Sequence, residues 1–372
     1  MRKHILITGG AGFIGAHVSK ELLAHGYRVR ALDSLVPQVH GDARQRPEYL
    51  PAEVDLMVGD IRDTDALNRA LEGVDAVVHL VALVGVGQSM YQMAEYTSVN
   101  NLGTAILWEA LAKRPVGAVV VASSMSIYGE GLYRDAGGNI RTAQDRSLDQ
   151  LKMADWEVRD EAGRVLAPVA TPEDKTPALA SVYALSKYDQ ERLCLMLGRA
   201  YSIPTVALRF FNTYGPYQAL SNPYTGVLSN FASRVLNGNP PLIFEDGLQK
   251  RDFVSVYDVA RAVRLALETP AAAGGAFNIS SGQPMTVKEC AERTVAALGR
   301  SDIQPQITGK WRAGDIRHCF ADISLAKRVL GWSPQVSLHE GLHDLASWLT
   351  GQTAVDRGIE ARAELAARGL MV

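Results

Sequence analysis

Short apolar runs alternate, along the first two thirds of the chain, with segments in which apolar residues recur at helical spacing. The runs that predict strands are Ile5–Thr8, Tyr27–Leu32, Val54–Val58, Ala76–Leu80, Ala118–Ala122 and Thr205–Arg209. Most are apolar at successive positions, which is typical of strands covered on both faces in a parallel sheet. Helical patterns between them stop at glycines, since Ile14–His25 ends at Gly26 and Thr64–Leu71 ends before Gly73. The alternation predicts right-handed βαβ units in a doubly wound α/β sheet.

The rhythm of the chain changes in three places. Residues 130–178 carry 7 basic and 10 acidic side chains with scattered Gly and Pro, which predicts a solvent-facing insertion that is partly ordered at best. After residue 212 the strand–helix alternation weakens. We therefore predict a dinucleotide-binding domain over 1–212 with a return segment over 253–281, a smaller mixed α/β substrate-binding lobe over 213–252 and 282–350, and an exposed C-terminal helix or tail over 351–372.

Charge and cysteine content exclude several classes of protein. The 38 basic and 40 acidic side chains leave a net charge of −2, which does not favour nucleic acid or an anionic membrane as a partner. Cys194, Cys290 and Cys319 lie far apart, outside any metal-binding spacing, so we expect neither a disulfide framework nor a metal site. No apolar run approaches the roughly 20 residues of a membrane span, and glycines interrupt the N-terminus before a signal peptide could form. We expect a cytoplasmic protein.

A glycine-rich loop follows the first apolar run directly. It reads Thr8-Gly9-Gly10-Ala11-Gly12-Phe13-Ile14-Gly15 and leads into a predicted helix. Glycines there allow a tight turn and close approach of backbone N–H groups to a pyrophosphate, which the helix N-terminus also favours. The loop predicts a Rossmann-type dinucleotide site, the alternative being a glycine-rich turn without a ligand. The cofactor contacts would be Gly9, Gly12, Phe13, Ile14 and Gly15.

An acidic residue, Asp33, ends the second predicted strand. At about 20 residues beyond the glycines, a carboxylate can accept hydrogen bonds from both hydroxyls of an adenosine ribose and repels a 2′-phosphate. This favours NAD over NADP as the cofactor, the alternative being an ordinary turn former at a strand end. Topology also places Asp60 and Ile61, after the third strand, and Ala82, after the fourth, beside the adenine and ribose.

A tyrosine and a lysine are four residues apart in a predicted helix over Tyr183–Tyr201, so Tyr183 and Lys187 share one face. A phenol with a pKa of about 10 is a poor base at neutral pH, but a neighbouring lysine and a positively charged nicotinamide favour the phenolate. Ser124 and Ser126 lie at the carboxyl end of the fifth strand, where such sheets bind ligands. These four residues are the catalytic candidates. The alternatives are a plain helix surface and serines that only cap the backbone.

Three motifs occur together in one order: T-G-G-x-G-F-I-G in the loop, S-S-x-x-x-Y-G after the fifth strand, and Y-x-x-x-K in the helix. Together they resemble the extended short-chain dehydrogenase/reductase superfamily, in its nucleotide-sugar epimerase/dehydratase branch. The resemblance covers about residues 1–350. It continues through Asn100–Thr104, Arg209–Pro216, Arg251–Val254 and Trp332–Pro334.

The resemblance implies roles on the cofactor side of the site. Tyr183 would be the acid/base, and Lys187 would hold the nicotinamide ribose. Ser124 matches the catalytic Ser/Thr of the family, with Ser126 as its neighbour. Both Tyr183 and Lys187 would contact the NAD, as would Asn100.

On the substrate side, the resemblance implies contacts with a nucleotide sugar. Asn212 would contact its diphosphate, and Arg251 and Arg317 would neutralise it, because a guanidinium pairs strongly with phosphate. Gln88 would be a further substrate contact. For Arg251, a surface ion pair with Asp252 is the alternative.

The residues before the Y-G pair disfavour two of the reactions that this branch catalyses, dehydration and decarboxylation. Dehydratases and a decarboxylase subclass of this branch carry an acid there, whereas this chain has Met125 and Ser126. What remains is an isomerase reaction, 4-epimerisation, in which Tyr183 takes the proton of the 4-hydroxyl while hydride passes to NAD⁺. The 4-ketose then turns over and hydride returns to its other face.

Three local segments, 85–92, 221–227 and 312–318, resemble one subgroup, the dTDP-L-rhamnose 4-epimerases, which form dTDP-6-deoxy-L-talose for polysaccharide precursors such as those of O-antigen. The alternatives are a 4-epimerase of UDP-hexoses, a 4-ketosugar reductase, and a non-catalytic NAD-binding sensor. The resemblance also implies a homodimer that pairs through helices around Ala94–Ala112 and Tyr183–Tyr201.

Overall fold

The computed structural model describes residues 2–143, 145–220, 222, 224, 226–311, 315–352 and 358–369, with side chains in the last range described from residue 363. Its strands are β1 (His4–Thr8), β2 (Arg28–Asp33), β3 (Asp55–Val58), β4 (Ala76–His79), β5 (Val119–Ser124), β6 (Leu132–Arg134), β7 (Ile140–Thr142), β8 (Ala167–Val169), β9 (Thr205–Phe210), β10 (Asn212–Tyr214), β11 (Leu242–Ile243), β12 (Lys250–Ser255), β13 (Ala276–Ile279), β14 (Pro284–Thr286) and β15 (Gln306–Ile307).

The α-helices are α1 (Phe13–Ala24), α2 (Pro37–His40), α3 (Thr64–Ala70), α4 (Val86–Ser89), α5 (Met93–Tyr96), α6 (Gly103–Lys113), α7 (Leu148–Lys152), α8 (Val182–Ala200), α9 (Val227–Leu236), α10 (Val256–Glu268), α11 (Val287–Ala297), α12 (Ser324–Leu330), α13 (Leu338–Leu349) and α14 (Gly358–Ala367). Two 3₁₀ helices cover Met125–Tyr128 and Pro270–Ala272, and a π-helical segment, Thr97–Leu102, joins α5 to α6.

A seven-stranded parallel sheet in the order β3-β2-β1-β4-β5-β9-β13 forms the centre of the molecule. Helices α1, α10 and α12 pack on one face and α3, α6 and α8 on the other, so the inner strands are buried on both sides. This arrangement confirms the predicted doubly wound fold. All six predicted strands are present within a few residues of their expected bounds.

Two predicted elements differ in detail from the structure. Strand β5 runs on through Ser124, so this residue belongs to the strand rather than to the loop after it. The predicted helix around Ala94–Ala112 is interrupted by the π-helical segment. A π-bulge inserts an extra residue into the turn and is frequent at functional sites, and hydrophobic periodicity does not reveal it.

A second core lies beyond β9. It joins α9, α11 and α13 through residues such as Phe231, Cys290 and Leu345. The sheet β10-β12-β14 and the parallel pair β11-β15 belong to the same part of the chain. Within the predicted return segment, α10 packs on the main sheet and β13 pairs with β9. The division into two domains at the stated boundaries stays a prediction.

The charged segment 130–178 has more regular structure than its composition suggested. Strands β7-β6-β8 form a small antiparallel sheet, and Tyr133, Val158 and Leu166 pack into a core of their own. Two of its charged side chains form ion pairs with residues far along the chain, Arg146 with Glu245 and Glu157 with Arg317. The segment therefore differs from the expected partial order, because its charged composition does not reveal its own sheet and core or partners that lie about a hundred residues or more away.

The C-terminal helix α14 is partly buried, since Leu365 is 5% exposed and packs against Gly87. Residues 353–357 and 370–372 of the predicted tail, and residues 221, 223, 225 and 312–314 of two subgroup segments, lie outside the described residues. Within the described ranges, no helix is long and apolar enough to cross a membrane.

Candidate active site

A cleft of about 820 Å³ opens at the carboxyl ends of the central strands and continues between the sheet and the second core. Most of the site residues predicted from the sequence line it. They are Gly9, Gly12, Phe13, Ile14, Asp33, Asp60, Ile61, Ala82, Ser124, Ser126, Tyr183, Lys187, Asn212 and Arg251. The position matches the rule that ligands of open α/β sheets bind beyond the carboxyl ends of the strands.

The glycine loop is shaped to hold an anion. Gly9 has a φ of +71°, and a Cβ there would lie 2.9 Å from the backbone nitrogen of Val81. Gly12 is the N-cap of α1 and supplies no capping side chain, so the first N–H groups of the helix are directed into the cleft, where a pyrophosphate can accept them. Gly15 lies outside the cleft lining and instead lets helix and loop pack closely, since a Cβ there would lie 2.4 Å from the Gly9 carbonyl oxygen.

Asp33 combines the two functions that the sequence left as alternatives. Its carboxylate accepts hydrogen bonds from the backbone N–H groups of Ala11 (3.0 Å) and Leu35 (2.9 Å), so it forms a turn and braces the glycine loop. The side chain also lines the cleft. His40 Nε2 also lies 3.7 Å from Oδ1 of Asp33. Since a carboxylate has about four lone-pair sites, acceptor capacity remains for a ribose. The loop and Asp33 together fit the adenosine diphosphate half of NAD.

Sequence reasoning missed Arg62, which lines the cleft beside Asp60. Its guanidinium binds the Asp60 carboxylate through Nε at 2.9 Å and Nη2 at 2.7 Å. This hydrogen bonding lowers the pKa of Asp60, so the carboxylate stays charged at the edge of the pocket. An arginine two residues after a strand-end acid was the available signal.

Tyr183, Ser124 and Lys187 meet at the end of β5 and the start of α8. Burial raises the pKa of the Tyr183 phenol, and its hydrogen bond with Ser124 acts in the opposite direction. Ser126 donates a hydrogen bond to the Ser124 hydroxyl at 2.9 Å, and its backbone N–H donates to the same oxygen at 3.2 Å. Ser124 therefore both caps the 3₁₀ helix and contacts the phenol.

Lys187 is 3% exposed, and burial lowers its pKa to about 8. Its Nζ donates a hydrogen bond to Oε1 of Gln190 at 2.7 Å. The predicted effect of Lys187 on Tyr183 requires the ammonium to be charged, so the groups that surround Lys187 matter for the chemistry.

Asn212 and Arg251, two of the residues predicted as substrate contacts, lie on the other wall of the cleft. Oδ1 of Asn212 is buried and has no hydrogen-bond partner among the described residues, which is costly unless a ligand supplies one. Arg251 donates to the carbonyl oxygens of Lys250 (2.9 Å) and Arg317 (3.0 Å). The Asp252 carboxylate binds the N–H groups of Ser281 and Gly282 instead, so the alternative pairing with Arg251 is absent here.

Arg317 is placed differently from its prediction. Its side chain is fully buried and its guanidinium binds Glu157, Glu245 and Asp246 at 2.5 to 3.0 Å. Three carboxylates already compensate its charge, so in this arrangement it cannot neutralise a diphosphate. The placement differs from the expected one because the three partners come from two distant segments that the sequence does not connect to Arg317.

Gln88 and Asn100 also lie outside the cleft lining, and both form hydrogen bonds with residues that build its wall. Gln88 bonds Gln38 at 3.1 Å and accepts a hydrogen bond from Tyr96 at 3.2 Å. Asn100, in the π-helical segment, bonds both backbone groups of Leu83 and the hydroxyl of Ser186. Direct ligand contact was predicted for both residues; the structure has them hold the loop after β4 in place.

Within the described part of the chain, no group of three or more His, Cys, Asp or Glu side chains is placed to hold a metal ion. The cleft presents hydroxyl, phenol, amide and cationic groups instead. This set can move a proton and bind a charged diphosphate.

Comparison with known proteins agrees with this geometry. The family model "NAD dependent epimerase/dehydratase family" matches residues 5–147 and 161–280. A dTDP-L-rhamnose 4-epimerase of Burkholderia thailandensis is 36% identical over 352 residues, 93% of this chain and 95% of that protein.

Solved structures of similar fold include the UDP-glucose 4-epimerase of Thermotoga maritima with UDP-glucose, with a TM-score of 0.75 and 30% identity over 94% of this chain and 99% of that one. Another is the UDP-glucose 4-epimerase of Thermus thermophilus in complex with NAD, with a TM-score of 0.73 and 30% identity over 94% of this chain and 100% of that one. The chain therefore belongs to the NAD-dependent epimerase/dehydratase family, as an NAD-dependent nucleotide-sugar epimerase.

Proposed function

We propose that this enzyme interconverts dTDP-L-rhamnose and dTDP-6-deoxy-L-talose by epimerisation at C4 of the sugar. The main observation in favour of epimerisation over dehydration is that Met125 and Ser126 line the cleft beside Ser124. Neither side chain can protonate a leaving hydroxide, so the site offers a single acid/base, Tyr183, at this position. The 36% identical dTDP-L-rhamnose 4-epimerase supports the choice of sugar.

In the proposed mechanism, Tyr183 takes the proton of the 4-hydroxyl and later returns it. Bound NAD supplies the acceptor, and then the donor, of the hydride at C4. Ser124 shares a hydrogen bond with the phenol, so it can orient the reacting hydroxyl and stabilise the phenolate. Lys187 would hold the nicotinamide ribose, and its positive charge would oppose the increase in the Tyr183 pKa that burial causes.

The second wall of the cleft would hold the diphosphate. Asn212 offers an amide whose oxygen has no partner among the described residues, and Arg251 offers a guanidinium held by backbone carbonyl oxygens. An arginine fixed in this way loses little conformational freedom when a phosphate binds. Binding at this wall would leave the sugar free to turn over between the two hydride transfers.

The proposed assembly is a homodimer. Large apolar side chains are exposed on the two helices expected to pair, with exposed fractions of 51% for Leu102, 53% for Leu185 and 57% for Met196. Pairing of these helices in a four-helix bundle would remove apolar surface from water. A monomer by light scattering at micromolar concentration would contradict this assembly. A location in the cytoplasm also stays a prediction.

The substrate is tested by incubating the enzyme, without added reductant, with dTDP-L-rhamnose, UDP-glucose and UDP-N-acetylglucosamine, and resolving the C4 stereoisomers by NMR. We expect inversion of the dTDP-6-deoxysugar with the highest kcat/KM. Preferential inversion of a UDP-hexose would assign the enzyme to the UDP-sugar epimerases instead. A requirement for NAD(P)H in stoichiometric amount would identify a 4-ketosugar reductase.

A further inference from the structure

A buried hydrogen-bonded chain leads from Lys187 to the first strand of the sheet. Gln190, one turn after Lys187 on α8, is 1% exposed. Its Nε2 lies 2.9 Å from Oγ1 of Thr104 and 3.3 Å from the carbonyl oxygen of Val81. Oγ1 of Thr104 lies 2.9 Å from Nε2 of His79, whose Nδ1 lies 2.8 Å from Oγ1 of Thr8.

The positions of the protons in this series of hydrogen bonds follow from the groups that can only accept. Thr104 donates its hydroxyl proton to the Asn100 carbonyl oxygen at 2.5 Å, so its oxygen is left to accept from Gln190 and from Nε2–H of His79. His79 then accepts the Thr8 hydroxyl proton at Nδ1. Burial lowers the pKa of His79 to about 3, which agrees with a neutral imidazole.

These contacts fix which way the Gln190 amide points. Its NH₂ group faces the oxygens of Thr104 and Val81 and lies 3.4 Å from Nε2 of His79, and the opposite orientation would set the amide oxygen against the oxygens of Thr104 and Val81. The amide oxygen therefore faces the Lys187 ammonium at 2.7 Å. An ammonium has three donors and no acceptor, so only this orientation gives it a hydrogen bond.

We propose that Gln190 is a positioning residue for Lys187, one whose amide is oriented by Thr104 and Val81 so that its oxygen holds the Lys187 ammonium charged and in place. The proposal rests on the proposed function in one respect: it takes Lys187 to be the group that favours the Tyr183 phenolate. Gln190 belongs neither to the glycine loop nor to the Y-x-x-x-K motif, so neither motif predicts a function for it.

Other groups also face Lys187, and two of them on α8, Cys194 and Glu191, act to raise its pKa against the larger effect of burial. On β4, His79 is neutral. On α8, burial raises the pKa of the Cys194 thiol to about 12, so this group is also neutral. Arg209 binds the Glu191 carboxylate at 2.6 and 2.9 Å, which opposes the support that this carboxylate gives to the charge of Lys187.

Tyr183 is the remaining titratable group on this face, one turn before Lys187. Because it is the group that Lys187 acts on, its ionisation reports the charge of Lys187. Gln190 is the neutral acceptor that binds the ammonium directly, so it supports the charge without cancelling its effect on the phenol.

The test is a pH titration of the holoenzyme. The Tyr183 phenolate is read from its ultraviolet absorption, as the difference between each protein and the same protein carrying Tyr183→Phe. Turnover against pH is measured on the same samples. In Gln190→Leu, Lys187 loses a hydrogen bond to a charged group, so its pKa should fall by about 1–2 units. The Tyr183 midpoint should then rise, and the alkaline limb of turnover should move to lower pH.

Thr104→Val tests the orientation of the amide without touching Lys187. It removes the oxygen that accepts from Gln190, so it should shift both profiles in the same direction as Gln190→Leu, and Thr104→Ser should restore them. The matched control is Thr294→Val in α11, because Thr294 is also buried and donates to the carbonyl oxygen four residues before it. The control should leave both profiles unchanged.

Unchanged titration midpoints in Gln190→Leu and Thr104→Val, at equal NAD content, would overturn the proposal. The phenolate readout separates this result from a failure of the proposed function. If the midpoint shifts while Tyr183→Phe retains full turnover, Gln190 positions Lys187 as inferred, and the assignment of Tyr183 as acid/base is the part that fails.

Discussion

Two charged or polar regions of the molecule, one that lines the cleft and one outside its lining, differ in how their residues are held. The site at the strand ends consists of the glycine loop, Ser124 and the Tyr183–Lys187 pair. Each of these parts is a short motif whose residues lie close together in sequence. The cluster around Arg317 joins Glu157 from segment 130–178 to Glu245 and Asp246 from the segment between β11 and β12. In the first region the polar groups face the cleft, where a ligand can bind them. In the second region the charged side chains bind one another.

The difference shows that an arginine close to the cleft in sequence need not contact the ligand. Arg251 lies only 4.0 Å from the Asp315 carboxylate, yet its guanidinium is held mainly by carbonyl oxygens and still lines the cleft. Arg317 follows Asp315 by two residues and is fully compensated by carboxylates. The partners of a guanidinium decide whether it binds a diphosphate or stabilises the fold, and these partners differ between the two arginines.

The largest effect is expected at the strand-end site. Tyr183→Phe removes only the transferable proton, so turnover should fall by about 10²–10⁴-fold, while the melting temperature and bound NAD change little. The control is Tyr188→Phe on the same helix, which should keep its turnover. Full activity in the Tyr183→Phe protein would break the assignment of catalysis to this region.

In the Arg317 cluster, the expected effect is on stability. Arg317→Met leaves three carboxylates without their shared cation, and breaking a buried ion pair in this way costs about 3–5 kcal/mol of unfolding free energy. Arg164→Met removes an exposed ion pair with Asp160 and should cost about 0–1 kcal/mol. Denaturant unfolding measures both. A higher KM for the nucleotide sugar in Arg317→Met, with stability unchanged, would restore Arg317 as a substrate contact.

A smaller effect is expected where the loop meets its helix. In Gly15→Ala the new Cβ would collide with the Gly9 carbonyl oxygen and Gly10, and overpacking of this kind costs about 1–3 kcal/mol. Because the collision moves the loop, NAD content after purification should also fall. Gly137→Ala is the control, because a Cβ there meets only the ends of the Asp135 and Asn139 side chains. Equal NAD content in both variants would contradict the account of the loop.

The smallest effect is a pH dependence of stability from Glu157. Hydrogen bonds with His318 and Arg317 lower the pKa of this carboxyl to about 2. Its stabilising contribution is therefore present above about pH 4.5 and is lost as the pH falls toward 2. Glu157→Gln should flatten the stability profile in that range, and the exposed Glu161→Gln should not. An unchanged profile in Glu157→Gln would show that the cluster is not held by this charge.

The same contrast explains how much could be predicted from the sequence. The fold and the position of the strand-end site follow from local patterns: apolar runs, glycines between strand and helix, and two residues one turn apart. The order in segment 130–178 could not be predicted, because its charged composition hides the few apolar residues that form its core. The burial of Arg317 could not be predicted, because it depends on ion pairs between residues far apart in sequence. For Gln190, the chain carries no local signal either, since its partners come from β4 and α6 as well as from its own helix.

The central claim is that C4 is inverted by removal and return of the same hydride, with Tyr183 as the acid/base. Its most direct test is turnover of dTDP-L-rhamnose that carries deuterium at C4, with mass spectrometry and NMR of the product. The account predicts that the C4-inverted product retains the label, because the hydride stays on the bound cofactor between the two transfers. Loss of the C4 deuterium to solvent water would contradict it.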